Sequence, residues 1–169
     1  MSNPVSNPVS NPVSNPVSRP GIGAAGIFGS DESGKVAETN ALQSALAAEH
    51  AAVHAYGVVG GVLGLSSSDS NAAYAVHRGR RDQLIAMIGR RAVAAEPAYE
   101  LPFEVTGPAK ARRLAARVEN GCADVYADVV ANTTGANRLY AARALTDCAV
   151  RALGWGAEPE AFPGLRKRG

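Results

Sequence analysis

The marks of a secreted, membrane-spanning or nucleic-acid-binding protein are scarce in this chain of 169 residues. It has two cysteines, too few for a disulfide framework. Its first residues, Met1-Ser2-Asn3-Pro4, carry neither a basic stretch nor an apolar one, so no signal peptide is read there. The longest apolar run, Ala51 to Leu65, contains His54 and falls short of the ~20 residues of a membrane span. These absences predict a cytoplasmic protein with reduced thiols and no membrane partner. Charge of one sign is also lacking, with a net charge of +2. The basic clusters Arg80-Arg81, Arg90-Arg91, Arg112-Arg113 and Arg166-Lys167-Arg168 are offset by acidic residues, and no aromatics interleave with them. No nucleic-acid partner is expected. Aromatics make up only 5% of the chain, whereas hydrophobic residues reach 46%, much of it alanine. Alanine favours helices and disfavours strands, so the composition points to packed helices.

Residues 2 to 17 are four copies of Ser-Asn-Pro-Val. A proline at every fourth position removes a backbone donor and pushes the preceding residue out of the helical region. With the Gly- and Ser-rich stretch that follows, residues 1–37 read as a disordered N-terminal tail. Such a tail is either inert or a docking peptide for an unknown protein partner. Residues 38–165 read as one folded domain, and 166–169 as a basic C-terminal end.

From about Thr39 the spacing becomes helical. Leu42, Leu46, Glu49, Val53, Tyr56, Gly60 and Leu63 alternate steps of four and three, the seam of a packed helix. A second helix is expected over about Ser70 to Ala95, with Tyr74, His77, Arg81, Leu84 and Ile88 on its seam. A third opens at Pro108, where proline is tolerated, with Ala111, Ala115, Val118, Cys122, Val125 and Val129 inward. A fourth runs from about Ala136 to Gly154 through Leu139, Ala142, Thr146, Ala149 and Leu153. Gly57, Gly60, Gly61 and Gly64 are read as points of close helix contact. The first and last connections are short and join antiparallel neighbours. The middle one, Glu96 to Gly107, carries prolines at 97 and 102. Twelve extended residues reach roughly 40 Å, and a helix of ~25 residues is about 37 Å long. This connection can therefore cross the whole length of the domain. The fold class is all-α: an antiparallel four-helix bundle with one long crossover between helices two and three, of the ferritin-like kind.

Ionisable residues fall at mid-depth on all four helices: Glu49 and His77 with Arg81 on seams, Glu119 and Asp147 beside them. Burying a charge is costly unless it is paired or bound to metal, which marks an interior polar site. A di-iron bundle draws one Glu from each of two helices and a Glu-x-x-His pair from each of the other two. Glu49 and Glu119 fill the single positions. The paired positions, read at His77-x-x-Arg80, or Asp82-x-x-Ile85 in another register, and at Asp147-x-x-Val150, lack the second histidine. Arginine cannot ligate a metal, but its charge can stand where a metal would. Arg81 is therefore expected to be buried between Glu49 and Glu119. Plainer readings stand beside this one. Glu49 at the seam edge is solvated; Asp147 forms a surface ion pair with Arg143 or Arg151; His50 and His54 are boundary residues; Cys122 and Cys148 are small core residues, level with each other.

The stretch Ala48-Glu49-His50-Ala51-Ala52-Val53-His54-Ala55-Tyr56-Gly57 resembles the opening helix of an actinobacterial ferritin-like domain family of unknown function. The segments His77-Arg78-Gly79-Arg80-Arg81-Asp82, Pro97-Ala98-Tyr99, Leu101-Pro102-Phe103 and Ala144-Leu145-Thr146-Asp147 are similar to other motifs of that family. The resemblance implies a place in the ferritin-like superfamily and no established activity. The expectation is a non-enzymatic binding or structural module with a degenerate metal site and no cofactor. The alternative is a metal-dependent oxidoreductase or iron-handling protein holding iron or manganese on Glu49, His77, Glu119 and Asp147. Val58, Val59, Gly61 and Val62 give helix one a second apolar side, so a homodimer through that helix is expected.

Overall fold

The computed structural model describes residues 25–64 and 67–165, with side chains from residue 31 onward. The Ser-Asn-Pro-Val repeats and the basic end 166–169 lie outside the described residues. Among the described residues there are four α-helices and no strand: α1 (Ala25–Leu63), α2 (Ser68–Ile88), α3 (Pro108–Asn132) and α4 (Gly135–Gly154). None of these helices is long and apolar enough to cross a membrane.

Two helix boundaries differ from expectation. Helix α1 starts at Ala25 rather than near Thr39, so residues 25–37 are helical. Extending an existing helix needs no new nucleus. Lys35 Nζ also meets Asp31 Oδ2 at 2.7 Å, one turn earlier on the same exposed face. Helix α2 stops at Ile88, not near Ala95. Gly89 adopts φ +71°, which ends the helical path, and a 3-10 turn over Gly89–Arg91 follows. Gln43 then ties the chain to α1, donating to the Arg91 carbonyl and accepting from the Val93 N–H at 3.1 Å.

Residue pairs give the helix directions. Gly60 lies against Ser70, Glu49 meets His77 and Gln43 meets Arg91, so α1 and α2 are antiparallel. Tyr56 meets Glu119 and Glu49 meets Tyr126, so α1 and α3 are antiparallel. Glu119 meets Arg151 and Tyr126 meets Tyr140, so α3 and α4 are antiparallel. Helices α2 and α3, consecutive in sequence, therefore run the same way. The segment from Ala92 to Gly107 has to span the domain between them, as its length and prolines predict. It does not cross as a free strand: Leu101, Phe103 and Val105 pack on the apolar cluster around Tyr56, Leu114 and Trp155.

Alanine governs how closely the helices approach. Helix α1 packs on α2 and α3, and α3 on α4, through Ala45, Ala52, Ala115, Ala123, Ala141 and Ala144, all buried. Helices α2 and α4 make no such backbone approach, and long polar side chains join them instead. Of the four glycines expected at close contacts, Gly60 alone is tight: a Cβ there would stand 3.3 Å from Ser70 Oγ. Gly64 serves otherwise, taking φ +87° at the end of α1.

The seam expected on α4 is one residue out of register. The buried face is Ala141, Ala144, Cys148, Ala152 and Trp155, while Leu139, Val150 and Leu153 are exposed. The larger residues were read as inward, but the close α3–α4 approach accepts only small ones. On α3 the buried set is Ala111, Leu114, Ala115, Glu119, Cys122, Ala123, Tyr126 and Val129, in which Glu119 and Tyr126 take the place of the expected Val118 and Val125. The helix-one patch divides as well. Val59 is in the core, Val58 and Val62 pack half-buried against it, and Gly61 is exposed.

Candidate functional site

Two apolar clusters, one around Leu46, Tyr126 and Val129 and one around Tyr56, Leu114 and Trp155, leave a polar layer between them. Glu49 of α1, His77 of α2 and Glu119 of α3 meet in this layer with no solvent exposure. His77 Nδ1 lies 2.7 Å from Glu49 Oε2, and its Nε2 lies 3.2 Å from Glu119 Oε1. One imidazole thus bridges two carboxylates across three helices. Tyr126 donates to Glu49 Oε1 at 2.7 Å, and Tyr56 donates to Glu119 Oε1 at 2.6 Å. The Tyr56 ring also stacks on His77, with centroids 5.1 Å apart. Burial lifts both tyrosine pKa values above the usual phenol range, aided by the facing carboxylates, so both remain O–H donors.

The surroundings of the bridging ring favour its charged form. Burial opposes protonation of His77, but its hydrogen bonds to Glu119 and Glu49, with their negative charges, outweigh that and raise its pKa to about 9. With both ring nitrogens donating, each carboxylate receives a charge-assisted bond.

A second ring of charge surrounds the first. Arg80 of α2 and Arg151 of α4 both bind Asp147 Oδ2, the latter at 2.7 Å. Arg80 also donates to Cys148 Sγ at 3.1 Å, and its guanidinium lies 5.8 Å from the Tyr126 ring centroid. Arg151 Nε stands 3.2 Å from Glu119 Oε1, an ion-pair distance without hydrogen-bond alignment. Partial burial opposes the charge on Asp147, yet its bonds to Arg151 and Arg80 hold its pKa below the usual carboxylate value.

Of the five residues expected at the site, Glu49, His77 and Glu119 form its buried centre. Asp147 is half-buried at its edge, the partner of Arg151 rather than of Arg143. Arg81 is not in the centre. It lies half-buried with its guanidinium on Asp82 Oδ1 at 2.7 Å, away from Glu49. Positions 80 and 81 fall about 60° and 40° to either side of His77 on the helix wheel, so spacing alone does not choose between them. The gap between α2 and α4 does, since it lies on the side of Arg80. Replacing Arg81 with Met is accordingly expected to change stability by less than ~1 kcal/mol, as for other exposed pairs. Urea unfolding checks this, and a loss of several kcal/mol would restore Arg81 to the interior.

Arg80 was read only as a non-ligating residue at a paired position, and three contributions were missing from the sequence reading: Arg151 as a partner of Glu119, and the hydroxyls of Tyr56 and Tyr126. Tyr126 lies seven residues after Glu119, two turns along one face, which is a signal that heptad counting can find. His50 and His54 lie at the boundary of the core. His54 is exposed and faces the Tyr99 ring at 5.6 Å, and His50 is only half-buried.

The one cluster with metal-ligand character among the described residues is Glu49, His77 and Cys122, whose ligand atoms lie within 4.8 Å of one another. These residues do not fit a divalent ion well. A metal would need an unprotonated His77 nitrogen, and both are held by carboxylates. The layer also balances without one: Glu49, Glu119 and Asp147 face His77, Arg80 and Arg151, three negative groups against three positive. A divalent ion beside a neutral His77 would leave one uncompensated positive charge in a largely buried space.

Among known proteins, the family model of a domain of unknown function, DUF4439, matches residues 41–167. The crystal structure of a conserved hypothetical protein, rv2844, from Mycobacterium tuberculosis is similar, with 38% sequence identity and a TM-score of 0.66. That match covers 71% of this chain and 95% of the other. No curated protein matches.

Proposed function

Since the chain belongs to DUF4439, a family defined as a domain of unknown function, its chemistry has to be read from the polar layer, and we propose that it is a non-enzymatic binding or structural module. On this reading it is a ferritin-like four-helix bundle in which an imidazolium and two guanidinium groups stand where a bundle of that kind holds metal. The observation that carries it is the His77 ring bridging Glu49 and Glu119 through its two nitrogens. Helix directions with α2 and α3 running alike, joined by a long crossover, support the ferritin-like assignment. The Mycobacterium tuberculosis relative supports an actinobacterial setting, and the cytoplasm is the proposed compartment. No cofactor is proposed.

Thermal unfolding with iron(II), manganese(II) or zinc added tests this. A ligand that binds only the folded state raises its midpoint with concentration. The expected result is an unchanged midpoint. A rise that disappears in a Glu49→Ala variant would favour the second reading, a metal-dependent oxidoreductase or iron-handling protein. That reading rests on Glu119 Oε2, a buried oxygen without a hydrogen-bond partner, and on the Glu49, His77 and Cys122 cluster.

We also propose a homodimer. The exposed apolar residues that favour it are Leu139, Val150 and Leu153 of α4 rather than those of α1. Sedimentation at micromolar concentration is expected to give a dimer that Val150→Glu dissociates; a wild-type monomer contradicts it.

A further inference from the structure

Four alanines of α1, Ala48, Ala51, Ala52 and Ala55, lie three and four residues apart and share one face. Between them and Leu114, Val118 and Gly121 of α3 is a cavity of about 500 Å³. Leu101 and Pro102 of the crossover bound its third side. Its size is that of a small-molecule site, and its walls are apolar. Small side chains keep it open. Glycine is a poor helix former, and Gly121 sits in mid-helix. A Cβ there would meet nothing within 4 Å, so close packing does not account for the glycine.

The mouth of the cavity has the opposite character. Arg117 of α3 and Glu100 of the crossover stand at it, both exposed. They make no ion pair with each other or with any other described residue. Tyr99 lies beside them, its hydroxyl accepting from the Glu96 N–H at 2.9 Å and its ring 5.6 Å from that of His54. These contacts fix the rim on which the two charges are carried.

We propose that this cavity binds a large apolar α-amino acid as its zwitterion. The ligand carboxylate faces the Arg117 guanidinium, which can hold it by two parallel N–H···O bonds. The ammonium faces Glu100, and the side chain enters between the alanines and Leu114. The mouth selects the class of ligand. A carboxylate without the amine meets Glu100 as a like charge, and an amine without the carboxylate meets Arg117. The cavity selects the size, because a small side chain buries little apolar surface there. This inference gives the binding module proposed above a ligand and rests on that reading, though not on the charge balance of the polar layer.

The test is isothermal titration calorimetry of the full chain with L-tryptophan, L-leucine, tryptamine and 3-indolepropionate, with a metal chelator present throughout. Tryptophan is expected to bind one site per chain, and leucine more weakly. Tryptamine and 3-indolepropionate, each with one of the two charges, are expected to bind at least tenfold more weakly than tryptophan. Arg117→Met is expected to remove the preference over tryptamine, and Glu100→Gln the preference over 3-indolepropionate. Gly121→Leu puts a side chain into the open space and is expected to abolish binding with the unfolding midpoint retained. No binding of tryptophan or leucine at millimolar concentration overturns the proposal. So does equal binding of either one-charge analogue, or binding that survives in Gly121→Leu. The wild-type titrations decide even if a variant fails to fold. With the chelator present, a failure here strikes the cavity alone, whereas added metal tests the reading of the polar layer.

Discussion

His77→Phe is expected to lower stability by about 3–5 kcal/mol, the usual cost of removing one member of a buried ionic set. The ring is the shared donor for Glu49 and Glu119, both without solvent exposure. Phenylalanine fills a similar space and supplies no proton. Two carboxylates then remain buried, with Tyr56, Tyr126 and Arg151 as their remaining partners. Adding Glu49→Gln and Glu119→Gln is expected to recover part of the loss, because neutral amides need no counter-charge. Urea unfolding of the single and triple variants measures both effects. A single-variant cost below ~1 kcal/mol, additive with the other changes, would show that the three residues are not coupled.

Stability is also expected to fall as pH rises from about 6.5 to about 9. The folded state raises the His77 pKa from 6.5 to about 9, so it holds the ring proton more tightly than the unfolded chain does. The contribution is complete below the unfolded value, declines through the interval, and is absent above the folded value. A difference of that size corresponds to a loss of about 3 kcal/mol at most. Unfolding free energies of wild type and His77→Phe, measured from pH 6 to 10, isolate the effect. The difference between the two proteins is expected to shrink with rising pH. A constant or growing difference means that the ring is neutral in the fold.

The helices were legible from the sequence because alanine-rich 4-3 spacing and proline-punctuated connections are local signals. The crossover was legible because its length and two prolines exclude a tight turn. Glu49, His77 and Glu119 were legible as charges at mid-depth on three different helices. Inward rotation was harder to read. On α4, Leu139 and Leu153 outrank Ala141 and Cys148 in hydrophobicity, yet the smaller residues are inside, because the distance to α3 sets the size admitted. On α2, Arg80 and Arg81 flank the seam almost equally, and only the neighbouring helix distinguishes them. The tyrosine hydroxyls were missed although the spacing of Tyr126 from Glu119 places it on the same face, since a tyrosine on a seam reads first as apolar bulk.

Elemental analysis of protein purified from cells supplied with iron, manganese and zinc tests the central claim most directly. An interior balanced by its own imidazolium and guanidinium groups predicts no metal in stoichiometric amount. One or more tightly held ions per chain, lost in Glu49→Ala, would contradict it.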